Sequence, residues 1–203
     1  MTVFFHFSVE GFSNSYIVVN LNTKTALFVD PGFVDPLMIS HIEDNGYTPK
    51  GILVTHSHYN HIRGVSTLLK IYDIPVFAAE AEIAGHKTNM VSGDGFFHCA
   101  GFDIGHYSVP GHSPDSLMYR IRFLLFSGDA LVAGGIGSTN GYYGCEILRK
   151  TINNKIINLP EETIILPGYG PPSTIKAEKN FNFMLKNPPQ EYNRKELHKE
   201  RDY

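Results

Sequence analysis

An apolar run, Gly51-Ile52-Leu53-Val54, ends abruptly in Thr55-His56-Ser57-His58-Tyr59-Asn60-His61. A stretch this continuously apolar reads as a strand buried on both faces, which requires cover on either side. Its end carries three histidines in six residues. His56 and His58 alternate, so on extended backbone both side chains point the same way. His61 falls where strand gives way to helix, which turns it back toward the same pocket. Imidazole is a neutral borderline ligand, and three at one strand-to-helix junction point to a metal site rather than to a histidine-rich loop.

The surrounding pattern fits a mixed fold. Val3 to Val9, Ser15 to Asn20 and Thr25 to Asp30 are short, rich in Val, Ile, Phe and Tyr, and separated by turn residues, so they read as strands. Asp35-Pro36 opens a helix with a capping carboxylate and a proline in the first turn, and Asn45-Gly46 closes it. Ile62 to Tyr72 has helical spacing, Pro75 to Ala79 reads as a strand, and Ala81 to Gly85 as a short helix. Phe96 to Phe126 returns to strands and turns. A helix over about Cys145 to Ile157, a strand over Thr163 to Leu166 and a helix over about Thr174 to Leu185 complete the pattern. Both halves run from strands to helix, so two sheets with helices on their outer faces satisfy the burial pattern. At 203 residues the chain has room for one generous domain. That domain is expected over 1–187, followed by a mostly charged tail or peripheral helix over 188–203.

Three further motifs can complete a metal site. In Val109-Pro110-Gly111-His112-Ser113-Pro114-Asp115-Ser116 the Pro and Gly residues hold His112 in a fixed turn. Alone, such a histidine is more often structural; beside the first motif it becomes the natural third nitrogen of a tetrahedral site. Phe126-Ser127-Gly128-Asp129 places a carboxylate at the end of an apolar strand, where it can reach a buried ion or simply terminate the strand. Ile164-Ile165-Leu166-Pro167-Gly168-Tyr169-Gly170-Pro171 is another buried strand ending in a rigid turn, and it presents a phenol. An aromatic lid packed on the turn is the strong alternative there.

Composition narrows the function classes. A formal charge of −3 gives no electrostatic reason to expect nucleic-acid or membrane-surface binding. No run approaches a membrane span. Cys99 and Cys145 are too few for a disulfide framework, and the apolar N-terminus lacks a basic leader region. These features predict a cytoplasmic protein acting on a small molecule, with its oligomeric state left open.

Taken in order and spacing, the four motifs resemble the metallo-β-lactamase superfamily, and within it the single-domain glyoxalase II-like hydrolases. The likeness runs from Ser13-Asn14-Ser15-Tyr16 and Asp30-Pro31-Gly32 to Gly168-Tyr169-Gly170-Pro171. It includes Gly135 to Asn140 and the Ser173-Thr174-Ile175…Glu178 start of the last helix. The resemblance implies an α+β fold, an αββα four-layer sandwich with metal at one edge between the sheets. It implies His56, His58 and His112 as first-site ligands, Asp129 as a bridging carboxylate and His61 as a second-site ligand. Asn60 stands where the family has aspartate, Tyr169 where it has histidine, and Ser138 where close relatives carry arginine.

Those departures weaken the second site. An amide brings no charge to a dication, and a phenol with a reference pKa of about 10 binds well only when the metal ionises it. One zinc ion is therefore expected rather than two, on His56, His58, His112 and Asp129, with His61 and Tyr169 as weaker candidates. Ferric iron with a Tyr169 tyrosinate is the other option. Three neutral nitrogens leave such an ion a strong Lewis acid. The resemblance then implies hydrolysis of a thioester or a related small acyl substrate, with His61 and Asn60 as candidate catalytic residues. The competing reading is a non-catalytic module that keeps the fold and serves in binding or regulation. A redox or nuclease role is weaker still, since the chain shows neither a flavin-type domain nor a basic surface.

Overall fold

A computed structural model describes residues 1–187; the stretch 188–203, expected as a charged tail or peripheral helix, lies outside the described residues. Chain order is β1 (Thr2–Ser8), β2 (Ser13–Asn20), β3 (Thr25–Val29), α1 (Pro36–Glu43), β4 (Thr48–Leu53), α2 (Tyr59–Ile62), α3 (Val65–Ile71) and β5 (Val76–Ala78). Then come β6 (Glu82–Ile83), β7 (His86–Lys87), β8 (Asn89–Met90), β9 (Gly95–Cys99), β10 (Phe102–Ser108), β11 (Leu117–Ile121) and β12 (Leu124–Gly128). The chain continues through β13 (Leu131–Val132), β14 (Gly135–Ile136), α4 (Tyr142–Thr151), β15 (Ile164–Pro167), β16 (Ser173–Thr174), α5 (Ile175–Phe181) and α6 (Phe183–Lys186).

Two six-stranded sheets carry the molecule, ordered β1-β2-β3-β4-β5-β8 and β16-β15-β12-β11-β10-β9. In the first, β1, β2 and β3 pair antiparallel, and β3, β4, β5 and β8 run parallel. Side-chain alternation along each strand then builds four layers. Tyr16, Val18, Leu27, Val29 and Leu53 face Ile104, Leu117, Tyr119, Ile121 and Phe126 between the sheets. The opposite faces of β2 and β3, through Ile17, Val19 and Phe28, pack under Met38 and Ile42 of α1 and Val65 and Leu68 of α3. Met118, Leu125 and Ile165 pack under Leu148, Ile152, Ile156 and Ile175. The αββα sandwich implied by the resemblance is the fold. Each fully buried aliphatic side chain contributes about 1.5–3 kcal/mol over its exposed state. The Tyr119 hydroxyl, buried between the sheets, stays satisfied by donating to the Val54 and Phe77 carbonyls at 3.2 Å each.

Four expectations need correction. Ala81 to Gly85 holds strand β6 and the turn of the β6–β7 hairpin, where Ala84 and Gly85 take left-handed backbone, with φ of 51° and 81°. The helix expected over Ile62 to Tyr72 is two helices, α2 and α3, interrupted where Gly64 packs against the Pro31 carbonyl. The helix expected from Cys145 begins a turn earlier, at Tyr142, and finishes in a π-helical turn over Ile152–Ile156. The last helix breaks at Asn182, whose side chain accepts the Leu185 amide and so starts α6.

Candidate metal centre

The site forms where β3, β4, β12 and β15 end together. Asp30 closes β3 in left-handed backbone, with φ of 46°, and is buried. Its Oδ1 accepts the Thr55 amide at 2.7 Å and its Oδ2 accepts the Thr55 hydroxyl at 2.6 Å. With its proton given to Asp30, that hydroxyl accepts from His56 Nδ1, 3.0 Å away. The Nε2 lone pair of His56 is left to face the site. The Asp30 Oδ2 atom also lies 3.2 Å from His61 Nδ1. One carboxylate thus sets the tautomer of His56 through Thr55 and orients the ring of His61 directly.

The other ligand loop is oriented by backbone. His112 Nδ1 donates to the Ser138 carbonyl at 2.8 Å, which leaves its Nε2 as an acceptor. Asp115 ties the two loops together by accepting the Ser57 amide at 2.7 Å. Burial pushes the Asp115 carboxyl up, but hydrogen bonds from Ser113 and Ser57 outweigh it and hold the group below the ordinary carboxylate range.

Four donor atoms converge as a result. His58 Nδ1 lies 3.0 Å from His56 Nε2 and 3.1 Å from His112 Nε2. Asp129 Oδ2 lies 3.8 Å from each of those two Nε2 atoms. One ligand atom from each of the four residues falls within 4.8 Å of all the others. A tetrahedral zinc with bonds of about 2.0–2.1 Å has edges of about 3.3 Å, inside the spread observed. Two of the ring nitrogens already carry inward lone pairs, so a cation at their centre satisfies all four groups together. Burial, and then the neighbouring His61, push the His56 pKa down to about 4, keeping its ring neutral and able to offer a lone pair.

On the other side of Asp129 stands His61, fully buried. Its Nε2 lies 3.1 Å from Asp129 Oδ1, yet the two atoms are not aligned as a hydrogen bond. Both are among the few buried side-chain polar atoms without a partner among the described residues. With Nδ1–H turned to Asp30, Nε2 offers a lone pair to a carboxylate oxygen, and two lone pairs aimed at one point fit a cation or a shared proton. Burial alone would depress His61, but Asp129 and Asp30 outweigh it and raise its pKa to about 10. The grouping of Asp30, His56 and His61 is close enough for an ion, but the Thr55 bonds already occupy Asp30. It is a hydrogen-bond network.

The Gly168 turn presses on this pair. A Cβ on Gly168 would stand 2.2 Å from Asp129 Oδ1 and 2.6 Å from His61 Cε1, so only glycine lets the turn approach. A family model described as the metallo-beta-lactamase superfamily matches residues 9–169. The chain belongs to that superfamily.

Among its relatives in the superfamily is a probable metallo-hydrolase, YqgX, from Bacillus subtilis. It is 31% identical over 196 residues, covering 85% of this chain and 92% of the relative. A hydroxyacylglutathione hydrolase from Klebsiella pneumoniae is 34% identical over 160 residues, 78% of this chain and 62% of that enzyme. The chain thus spans less than two thirds of the latter's length. A solved structure, the BLEG-1 B3 metallo-beta-lactamase, superposes with a TM-score of 0.80 at 28% identity, covering 92% of this chain and all of that one.

Within this metallo-beta-lactamase fold the two departures take particular positions. The Asn60 side-chain amide donates to the Gly11 carbonyl at 3.4 Å, and the Asn60 carbonyl accepts the Ser13 hydroxyl at 2.6 Å. Asn60 therefore ties the β1–β2 hairpin to the ligand loop. Tyr169 is about a third exposed. Burial and the Asp129 charge hold its phenol above its usual range, so it stays protonated beside the pair. The sequence reading missed the supporting residues Asp30, Thr55 and Asp115 as parts of the site. Asp30-Pro31-Gly32 and Asp115 belong to the motifs that carry the resemblance, and a carboxylate at a strand end or in a histidine-bearing turn is the signal that marks them. Ser138 acts through its carbonyl, for which no side-chain signal exists. No helix among the described residues is long and apolar enough to cross a membrane.

Proposed function

We propose that this chain is a metal-dependent hydrolase of thioesters or related small acyl substrates, working with one tightly held ion, zinc before iron. The observation that carries the proposal is the convergence of His56, His58, His112 and Asp129 on one point. When bound there, the ion supplies Lewis acidity to a substrate carbonyl and to water. The protein's own contribution is orientation. Asp30, through Thr55, fixes His56; the Ser138 carbonyl fixes His112; Asp115 holds the loop carrying His58. His61 is backed at Nδ1 by Asp30 and its raised pKa keeps it protonated, so its Nε2 holds a proton that it can give and recover beside Asp129. Asn60 supports this side indirectly, by holding the loop against the hairpin.

Thioester chemistry enters through similarity to the hydroxyacylglutathione hydrolases. A cytoplasmic site of action belongs to the same proposal and suits the two free cysteines, Cys99 and Cys145. The test is thiol release from a panel of acyl thioesters by the zinc-loaded protein. Turnover in wild type and its loss in His58→Ala support the proposal; zinc retention without turnover on any thioester or ester overturns it.

One observation favours a second reading, a binding or regulatory module. Asn60 spends its amide on Gly11 and the Tyr169 phenol stays protonated, so the second side of the site offers few groups for chemistry. Silence in wild type with activity in Asn60→Asp/Tyr169→His supports this module.

A further inference from the structure

Glu178 is a buried carboxylate that the chemistry above does not use. It lies in α5, only 2% exposed. Both its oxygens accept the Gly134 amide at 3.1 Å, and it also accepts the Ser173 hydroxyl and, at 2.6 Å, the Asn182 side-chain amide. Every donor is neutral. Asn182, itself fully buried, gives its side-chain amide to the Gly135 carbonyl as well, at 3.0 Å. The pair therefore grips the end of one turn, by the N–H of Gly134 and by the C=O of Gly135, the first residue of β14.

That turn is the tip of the β13–β14 hairpin, which has only two registered residue pairs, Leu131 with Ile136 and Val132 with Gly135. Two-residue strands cannot hold their own geometry in water. Both ends of the hairpin run into the metal centre. It starts two residues after Asp129. Its return strand feeds Gly137, whose amide donates to the Ala130 carbonyl at 3.2 Å and whose Cα rests against the Asp129 carbonyl. Next comes Ser138, the acceptor for His112 Nδ1.

We infer that Glu178, with Asn182, is a positioning residue for the metal centre: it fixes the β13–β14 hairpin and thereby the Ser138 carbonyl that orients His112. The inference rests on the reading of His112 as a ligand. Glutamine is nearly isosteric at 178 but turns an NH₂ toward groups that are all donors, so at least one bond is lost.

The experiment compares Glu178→Gln with Thr174→Ala. The latter removes the side chain that caps α5 by accepting the Ala177 amide, and so destabilises the same helix without touching the hairpin. Zinc affinity is read by competition with a chromophoric chelator, and the His112 tautomer by imidazole nitrogen NMR of the metal-free protein. Glu178→Gln is expected to weaken zinc binding by up to about 10-fold, the low end of the range for losing an outer partner of a ligand, which it loosens rather than removes, and to mix the His112 tautomers. Thr174→Ala is expected to melt earlier with both readings unchanged. Ser173→Ala, a milder cut, is expected to fall between, and it decides the matter if Glu178→Gln does not fold. Unchanged zinc affinity and tautomer in the folded variants overturn the inference and leave Glu178 a packing residue. If wild type itself retains no zinc, the hydrolase reading fails, while the tautomer spectrum still decides this one.

Discussion

The two sides of Asp129 use the same residue types to different effect. On one side, Oδ2 joins three imidazole nitrogens, two of them held by an outer acceptor that forces the lone pair inward. On the other, Oδ1 meets a single nitrogen, His61 Nε2, with Asn60 bonded to Gly11 and Tyr169 protonated. What separates them is the number of donors whose orientation is already set before any ion arrives. Pre-set donors add affinity without an ordering cost, whereas a lone histidine and half a carboxylate must recruit the rest. On the proposed reading one side is a cage for an ion and the other a proton site.

The sharpest way to break this contrast is to delete one nitrogen from each side. His112→Ala is expected to lower zinc retention by more than about 100-fold, since it removes a direct ligand where even outer partners are worth 10–100-fold. His61→Ala is expected to leave one tightly bound zinc and to act mainly on turnover, by about 10²–10⁴-fold as for a lost acid–base group. Metal content after gel filtration and steady-state kinetics read both. Equal loss of zinc in the two variants would show one shared dinuclear site.

How far the residues disclosed this contrast follows from what each side is made of. The four converging groups come from motifs where strand ends and turns are spelled in side chains, so the meeting of His56, His58, His112 and Asp129 and the four layers were legible. The outer partners were harder to see. Thr55 sat inside a motif read for its histidines, and Ser138 works through a carbonyl that any residue owns. The short helix expected over Ala81 to Gly85 failed because Ala84 adopts a left-handed turn that its residue type disfavours. The break at Asn182 depends on a side chain capping across its own chain reversal, which helical spacing alone does not reveal.

A subtler change targets the second side alone. Asn60→Asp/Tyr169→His restores a carboxylate and an imidazole beside His61, and is expected to raise tightly bound metal from one equivalent toward two. The double variant carries a cost, because aspartate cannot donate to the Gly11 carbonyl; about 1 kcal/mol of stability is expected to go with that bond. Elemental analysis against protein concentration decides. Two equivalents in wild type would show that Asn60 and Tyr169 never impaired the side at all.

The smallest expected effect concerns the tie between the two ligand loops on the first side. Asp115 accepts the Ser57 amide, and Ser113 and Ser57 hold its carboxyl below the ordinary range against the opposing pull of burial. A depressed folded pKa means stability that is present above the unfolded carboxylate value, about 3.9, and lost as pH falls through the lower folded value. Asp115→Asn keeps the shape but gives up the charge-assisted bond, costing about 1.5 kcal/mol at neutral pH. Denaturant titrations from pH 7 down to pH 3 should therefore show the wild-type advantage shrinking at the acid end, where the carboxylate protonates. A constant gap across that range would mean that the Asp115 charge plays no part in joining the loops. The cage would then owe its order to Asp30 and the Ser138 carbonyl alone, which moves the weight of the comparison onto the orientation of individual imidazoles.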